Sequence, residues 1–123
     1  MAKSNIFKNK LSVIIILIWP YIFLFPLTLG FLVMGNDFDL IYFSYKRYIA
    51  EMLSVGILPL WSPVDGNGFS LIFNPFAQYF YIPGWVLYLI HFVTKNLSLH
   101  TFLLYTIFGI SIFSLGIFYL LKS

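Results

Sequence analysis

The sequence contains no cysteine, which excludes a disulfide framework, a thiolate metal site and a thiol nucleophile. It is almost as poor in charge. Only 9% of the 123 residues are Asp, Glu, Lys or Arg, where a soluble domain carries roughly a quarter. The four carboxylates are Asp37, Asp39, Glu51 and Asp65, and none lies elsewhere in the chain. The seven Lys and Arg stand in ones and twos, so there is no clustered basic face of the kind that holds nucleic acid. Hydrocarbon takes the place of charge: 61% of residues are hydrophobic, 22% are aromatic, and the mean hydropathy is +0.94. This composition predicts an all-α integral membrane protein, because a backbone in lipid must satisfy its own polar groups.

Three uncharged runs predict three transmembrane helices. Residues 1–10 form a cytoplasmic amino terminus with Lys3, Lys8 and Lys10, and residues 11–34 follow without a single charge. At about 1.5 Å per residue that run crosses a ~30 Å hydrocarbon core with some tilt. It exceeds the apolar core of a signal peptide, about 7 to 15 residues, and Gly30 to Asn36 shows no small-residue cleavage site. Pro20 and Pro26 should bend the first span. Residues 76–94 and 97–121 give the second and third spans, with 95–96 as a cytoplasmic turn and 122–123 as the end of a chain expected to be truncated.

Orientation follows from the lysines. Lys3, Lys8, Lys10 and Lys95 fall inside, against Lys46, Arg47 and Lys122 outside, so the amino-terminal cluster decides. The expected location is the cell membrane, multi-pass, with residues 35–75 as an extracytoplasmic loop. Ser111, Ser114 and Gly116 in the third span are small residues suited to close helix contact. Three spans supply few neighbours, so the expected partners are membrane lipid and either missing transmembrane helices or a partner membrane protein.

The loop holds all the acids. Asn36 with Asp39 three residues on has the spacing of a helix cap. Leu40, Ile41, Tyr45, Tyr48, Ile49, Met52 and Leu53 then recur at helical spacing, which predicts an interfacial amphipathic helix over about 37–55. Gly56 suits its stop. Leu58-Pro59-Leu60-Trp61-Ser62-Pro63 predicts an extended run, Asp65-Gly66-Asn67-Gly68 and Asn74-Pro75 predict turns, and Tyr79, Tyr81, Trp85 and Tyr88 predict an aromatic belt at re-entry.

Asp37 and Asp39 are the candidate catalytic pair, since a carboxylate at a membrane face can act as general base or bind a divalent cation. The plainer reading is that they cap the helix. Lys46 and Arg47 can grip phosphate, or snorkel toward headgroups from the interfacial helix, and Glu51 has the spacing to pair with Arg47. Trp61 can stack on a sugar or serve as an interface anchor. Gly66 and Gly68 either let a ligand approach the backbone or simply make a turn. His91 and His100 read as neutral, hydrogen-bonded packing residues, because neither has a second metal ligand at useful spacing.

The order Asp37-Phe38-Asp39, Gly56-Ile57-Leu58-Pro59-Leu60-Trp61-Ser62-Pro63, Gly68, Asn74-Pro75 and Phe80-Tyr81 resembles the opening of the bacterial YfhO-like membrane protein family, over residues 36–122. The resemblance implies the amino-terminal part of a multi-spanning glycosyltransferase. Such an enzyme moves a sugar from a polyprenyl-phosphate donor to a cell-envelope acceptor on the outer face. It implies Asp37 as base or metal-linked acid with Asp39 as the fallback, and it adds Asn74 to Lys46, Arg47, Trp61 and Gly68 as candidate substrate contacts. Ile41 and Phe76 stand where the family often has glutamine. The family's members are much longer, so the chain is expected to be inactive alone. The reading from another class is a small non-catalytic multi-pass protein that binds lipid or a partner.

Overall fold

The computed structural model describes residues 2–63 and 68–122, the side chains of 2–9 excepted. The turn expected at Asp65, Gly66 and Asn67 lies outside the described residues. The chain is mostly helical and divides into two compact units, Met1–Val33 with Leu103–Ser123, and Met34–Phe102.

The first unit contains α1 (Ala2–Phe23), α2 (Phe25–Thr28) and most of α5 (Leu99–Lys122). The first span was expected to run from residue 11 to 34, but the helix starts nine residues earlier and breaks at Leu24. The physical reason is Pro26, which has no amide hydrogen to continue the ladder. Leu24 N–H still reaches Pro20 O at 3.0 Å, and the Thr28 hydroxyl donates to Tyr21 O at 3.0 Å and Leu24 O at 3.1 Å. The hydroxyl thereby fills the Tyr21 carbonyl, whereas the Leu24 carbonyl already receives the Leu27 and Thr28 N–H groups, and α2 ends where Gly30 turns left-handed at φ 77°. Pro20, by contrast, sits within an unbroken α1.

Between α1 and α5 the Ser111 hydroxyl, fully buried, donates to Leu17 O at 3.0 Å and to Ile107 O of its own helix at 3.3 Å. Of the three small residues expected at a helix contact, this one makes it. Ser114 bonds Ile110 O in its own helix, and Gly116 borders open space.

The second unit is built on α3 (Ser44–Ser54) packed against α4 (Trp85–Thr94). α3 is entered through a π turn, Phe38–Phe43, whose Phe38 and Phe43 rings lie 4.8 and 5.7 Å from the Phe102 ring. Its exit is a glycine stop as expected: Gly56 at φ 78°, with Gly56 N–H to Leu53 O and Ile57 N–H to Met52 O. The extended run then forms β1 (Trp61–Ser62), paired antiparallel with β2 (Phe69–Ser70), Trp61 opposite Ser70 and Ser62 opposite Phe69. The sequence reading did not foresee this two-stranded ribbon.

The helix expected over 76–94 is confined to α4, preceded by turns and a short 3₁₀ segment, Ile82–Gly84. Pro75 and Pro83 prevent an earlier start. Ten residues make a helix of about 15 Å, half a hydrocarbon core. Lys95 closes α4 in the left-handed conformation at φ 55°, and Ser98 opens α5, its Oγ accepting the Thr101 N–H at 3.0 Å. Among the described residues α5 alone is both long and apolar enough to cross a membrane.

Because the Ser98 side chain caps α5, Ser98→Ala should lower stability by about 1 kcal/mol. Equilibrium unfolding in denaturant, compared with the parent chain, measures it.

Candidate functional site

All seven residues singled out from the sequence, Asp37, Asp39, Lys46, Arg47, Trp61, Gly68 and Asn74, lie in the second unit. They do not converge on one point. They fall into two carboxylates at the π turn, a buried lysine, an exposed arginine, an indole on a glycine, and a turn asparagine.

Asp37 stands at the head of the π turn with helical φ and ψ, and its side chain makes no capping hydrogen bond. Asn36 does not cap either. It takes a left-handed φ of 56°, and its carbonyl receives the Leu40 N–H at 2.8 Å. The capping role expected for these residues is therefore not what the structure shows, because the chain enters the helix through a wide turn rather than a side-chain cap. Asp37 is exposed and Asp39 half-buried. Neither carboxylate has an ion-pair or hydrogen-bond partner among the described residues, although the Asp39 carbonyl receives the Ser44 hydroxyl at 3.1 Å. Wide π turns are rare and recur at functional sites. Among the described residues no three His, Asp or Glu side chains gather to hold a metal.

The π turn also explains the largest departure from the expected amphipathic face. One extra residue per turn rotates everything before it relative to α3. Leu40 is thrown out to 73% exposure, and the buried stripe becomes Phe43, Lys46, Ile49 and Ala50. Lys46, expected to snorkel outward or grip phosphate, is instead 2% exposed. Its Nζ donates to the Gln78 carbonyl at 3.2 Å and to the Tyr88 hydroxyl at 3.5 Å, and it lies 5.7 Å from the Tyr88 ring centre. Gln78 presents that carbonyl from a left-handed φ of 47°. Gly84 completes the enclosure, since a Cβ there would stand 3.1 Å from Nζ. Burial pulls the Lys46 ammonium down from 10.5 to about 8.

Arg47 points the other way and pairs with Glu51 at 2.8 Å on the exposed face, as its spacing predicted. Such a surface pair contributes roughly 0.3–0.5 kcal/mol. The Arg47 guanidinium remains accessible to an anion; the Lys46 ammonium does not.

Trp61 and Gly68 are brought together. A Cβ on Gly68 would lie 2.6 Å from Trp61 Cε2 and Cζ2, and Gly68 sits at φ 107°. The indole, 56% exposed, therefore lies flat across a glycine that no larger residue can replace without moving it. The Tyr48 hydroxyl reaches Trp61 O at 3.4 Å and ties the ribbon to α3. Asn74 is 3% exposed and serves its own turn, its Oδ1 accepting the Phe76 N–H at 2.9 Å. A direct substrate contact by Asn74 gives way to that internal role. His91 is 7% exposed on the same face of α4 as Tyr88, and its Nδ1 has no hydrogen-bond partner among the described residues. The hydrogen-bonded histidine expected there is only buried. His100 is exposed rather than packed.

The sequence reading missed Gln78, Tyr88 and Gly84 as the lining of Lys46. The one available signal was the lysine's place among Phe43, Ile49 and Ala50, three and four residues away.

Gly68→Ala should displace the indole and destabilise the ribbon by about 1–3 kcal/mol, read as a shift in Trp61 emission in a chain whose Trp19 and Trp85 are phenylalanine. Set beside known proteins, the chain matches no family model, no curated sequence and no solved structure.

Proposed function

We propose that this chain is the amino-terminal membrane portion of a glycosyltransferase that takes a sugar from a polyprenyl-phosphate carrier and passes it to a cell-envelope acceptor on the outer face. The observation that carries the reading is the exposed Asp37 carboxylate on a π turn, with no internal partner among the described residues. A carboxylate left free of ion pairs and caps keeps its lone pairs for an incoming hydroxyl. Asp37 acts as general base toward the acceptor, and Asp39, two residues on, is the fallback for that role. Arg47 takes the donor phosphate, exchanging its exposed pairing with Glu51 for a two-pronged contact. Trp61, flat on Gly68, offers a sugar-stacking face.

In this reading α1, the α4 segment and α5 lie in the cell membrane with the amino terminus cytoplasmic, and the second unit's acids face outward. The long apolar α5, with most of its surface exposed, is then covered by membrane lipid and by transmembrane helices from the rest of the enzyme or a partner membrane protein. The resemblance of the Gly56–Pro63, Gly68 and Asn74-Pro75 order to the YfhO-like family supports the same assignment.

A second reading, a non-catalytic multi-pass protein that binds lipid or a partner, is favoured by Lys46. The lysine nearest Arg47 in sequence is enclosed by its own fold rather than offered to a phosphate.

The two readings separate in membranes that carry the chain together with the further spans the first one requires, supplied with a polyprenyl-phosphate sugar. Asp37→Asn should lower transfer by about 10²- to 10⁴-fold, the usual weight of a general base. Transfer unchanged by both Asp37→Asn and Asp39→Asn would leave the non-catalytic reading.

A further inference from the structure

A lysine ammonium has three N–H donors. Among the described residues Lys46 finds two acceptors, the Gln78 carbonyl at 3.2 Å and the Tyr88 hydroxyl at 3.5 Å, and no carboxylate within ion-pair reach. Both acceptors are neutral. The enclosure is tight as well as dry, since the missing Cβ of Gly84 is what allows Nζ its place. α4 brings Tyr88 and, one turn on, His91; the 78–84 segment brings the Gln78 carbonyl and the Tyr81 ring beside Gly84; α3 itself brings apolar Phe43, Ile49 and Ala50, while Arg47 and Glu51 pair on its outer face.

A neutral amine suits this pocket better than an ammonium. It can donate to Gln78 O and accept from the Tyr88 hydroxyl, leaving no charge without a counter-ion in a low-dielectric site. An ammonium there keeps one donor unfilled and loses its hydration.

We propose that Lys46 is a proton-controlled latch: as a neutral amine it closes α3 onto the 78–88 segment, and on protonation it leaves the pocket and loosens α3 together with the π turn that bears Asp37 and Asp39. The latch is a property of the fold and stands whether or not the chain transfers a sugar.

Burial sets the range in which the latch works, since the folded-state value lies near 8 and the ordinary one at 10.5. Between these values the unfolded chain holds a proton that the folded chain has released, so stability rises with pH across that window and is lowest below about 8. The direction is opposite to that of a lysine held by a carboxylate.

The chain has six lysines, Lys3, Lys8, Lys10, Lys46, Lys95 and Lys122, and carbon-13 labelling at Cε lets each be titrated in the full chain in lipid nanodiscs between pH 6 and 11. One of the six signals is expected to move apart from the rest, near 8. The thermal midpoint should climb over the same interval and become flat in Lys46→Met, which also removes the early signal. Six signals that move together, or a climb that persists in Lys46→Met, would overturn the latch. Should Lys46→Met fail to fold, Tyr88→Phe decides. Loss of the hydroxyl that donates to the neutral amine should carry the early signal upward, toward the ordinary lysine value, and a signal that stays put overturns the contact on which the latch depends.

Discussion

A positive charge placed among hydrocarbon has to be matched, hydrated or given up, and Lys46 is where this chain meets that constraint. Its side chain is 2% exposed on the helix face that packs against α4, and the elements around it are shaped to receive it. Gln78 turns left-handed and aims its carbonyl at Nζ. Tyr88 supplies a hydroxyl and a ring, and Gly84 gives the space. Three residues of the 78–88 segment are thus committed to one amine of α3, so the second unit is held by a polar centre as well as by Ile49, Ala50, Leu71, Ala77 and Leu87. Replacing a single partner in such a centre leaves a buried polar group alone, which is why centres of this kind tolerate little change.

The π turn is the second determinant, because it sets where the residues ahead of α3 fall. Leu40 is carried outward, and Asp37 and Asp39 ride the widened segment with their carboxylates uncommitted. Within α3 itself ordinary helical spacing puts Lys46 on the face of Ile49 and Ala50 and turns Arg47 out toward Glu51. Two neighbouring cations are thereby divided into a structural one and an accessible one.

Much of the local structure was legible because it rests on short-range rules. Gly56 ends α3, Asn74 makes its turn, Arg47 meets Glu51, and the last helix occupies nearly the residues its uncharged run predicts. What escaped was of two kinds. Helix limits near proline were misplaced: the charge-free run 76–94 reads as one span, yet Pro75 and Pro83 allow only α4, and Pro26 divides the first run. Hydropathy counts side chains and is blind to a missing N–H. The burial of Lys46 was hidden because a lysine set in an apolar stripe reads as one that snorkels outward, and because its partners lie 32 and 42 residues away. For the candidate site, residue identities could be read from the sequence while their grouping could not. Trp61 and Gly68 meet through the register of a ribbon only two residues wide.

The break at Leu24 differs from an ordinary proline kink in that the Thr28 hydroxyl occupies both the Tyr21 and Leu24 carbonyls. The Tyr21 oxygen, which no amide of the next helix reaches, is thereby paired, while the Leu24 oxygen also receives the Leu27 and Thr28 N–H groups. A break whose open oxygen is paired by a nearby hydroxyl costs less than one left bare wherever water is scarce.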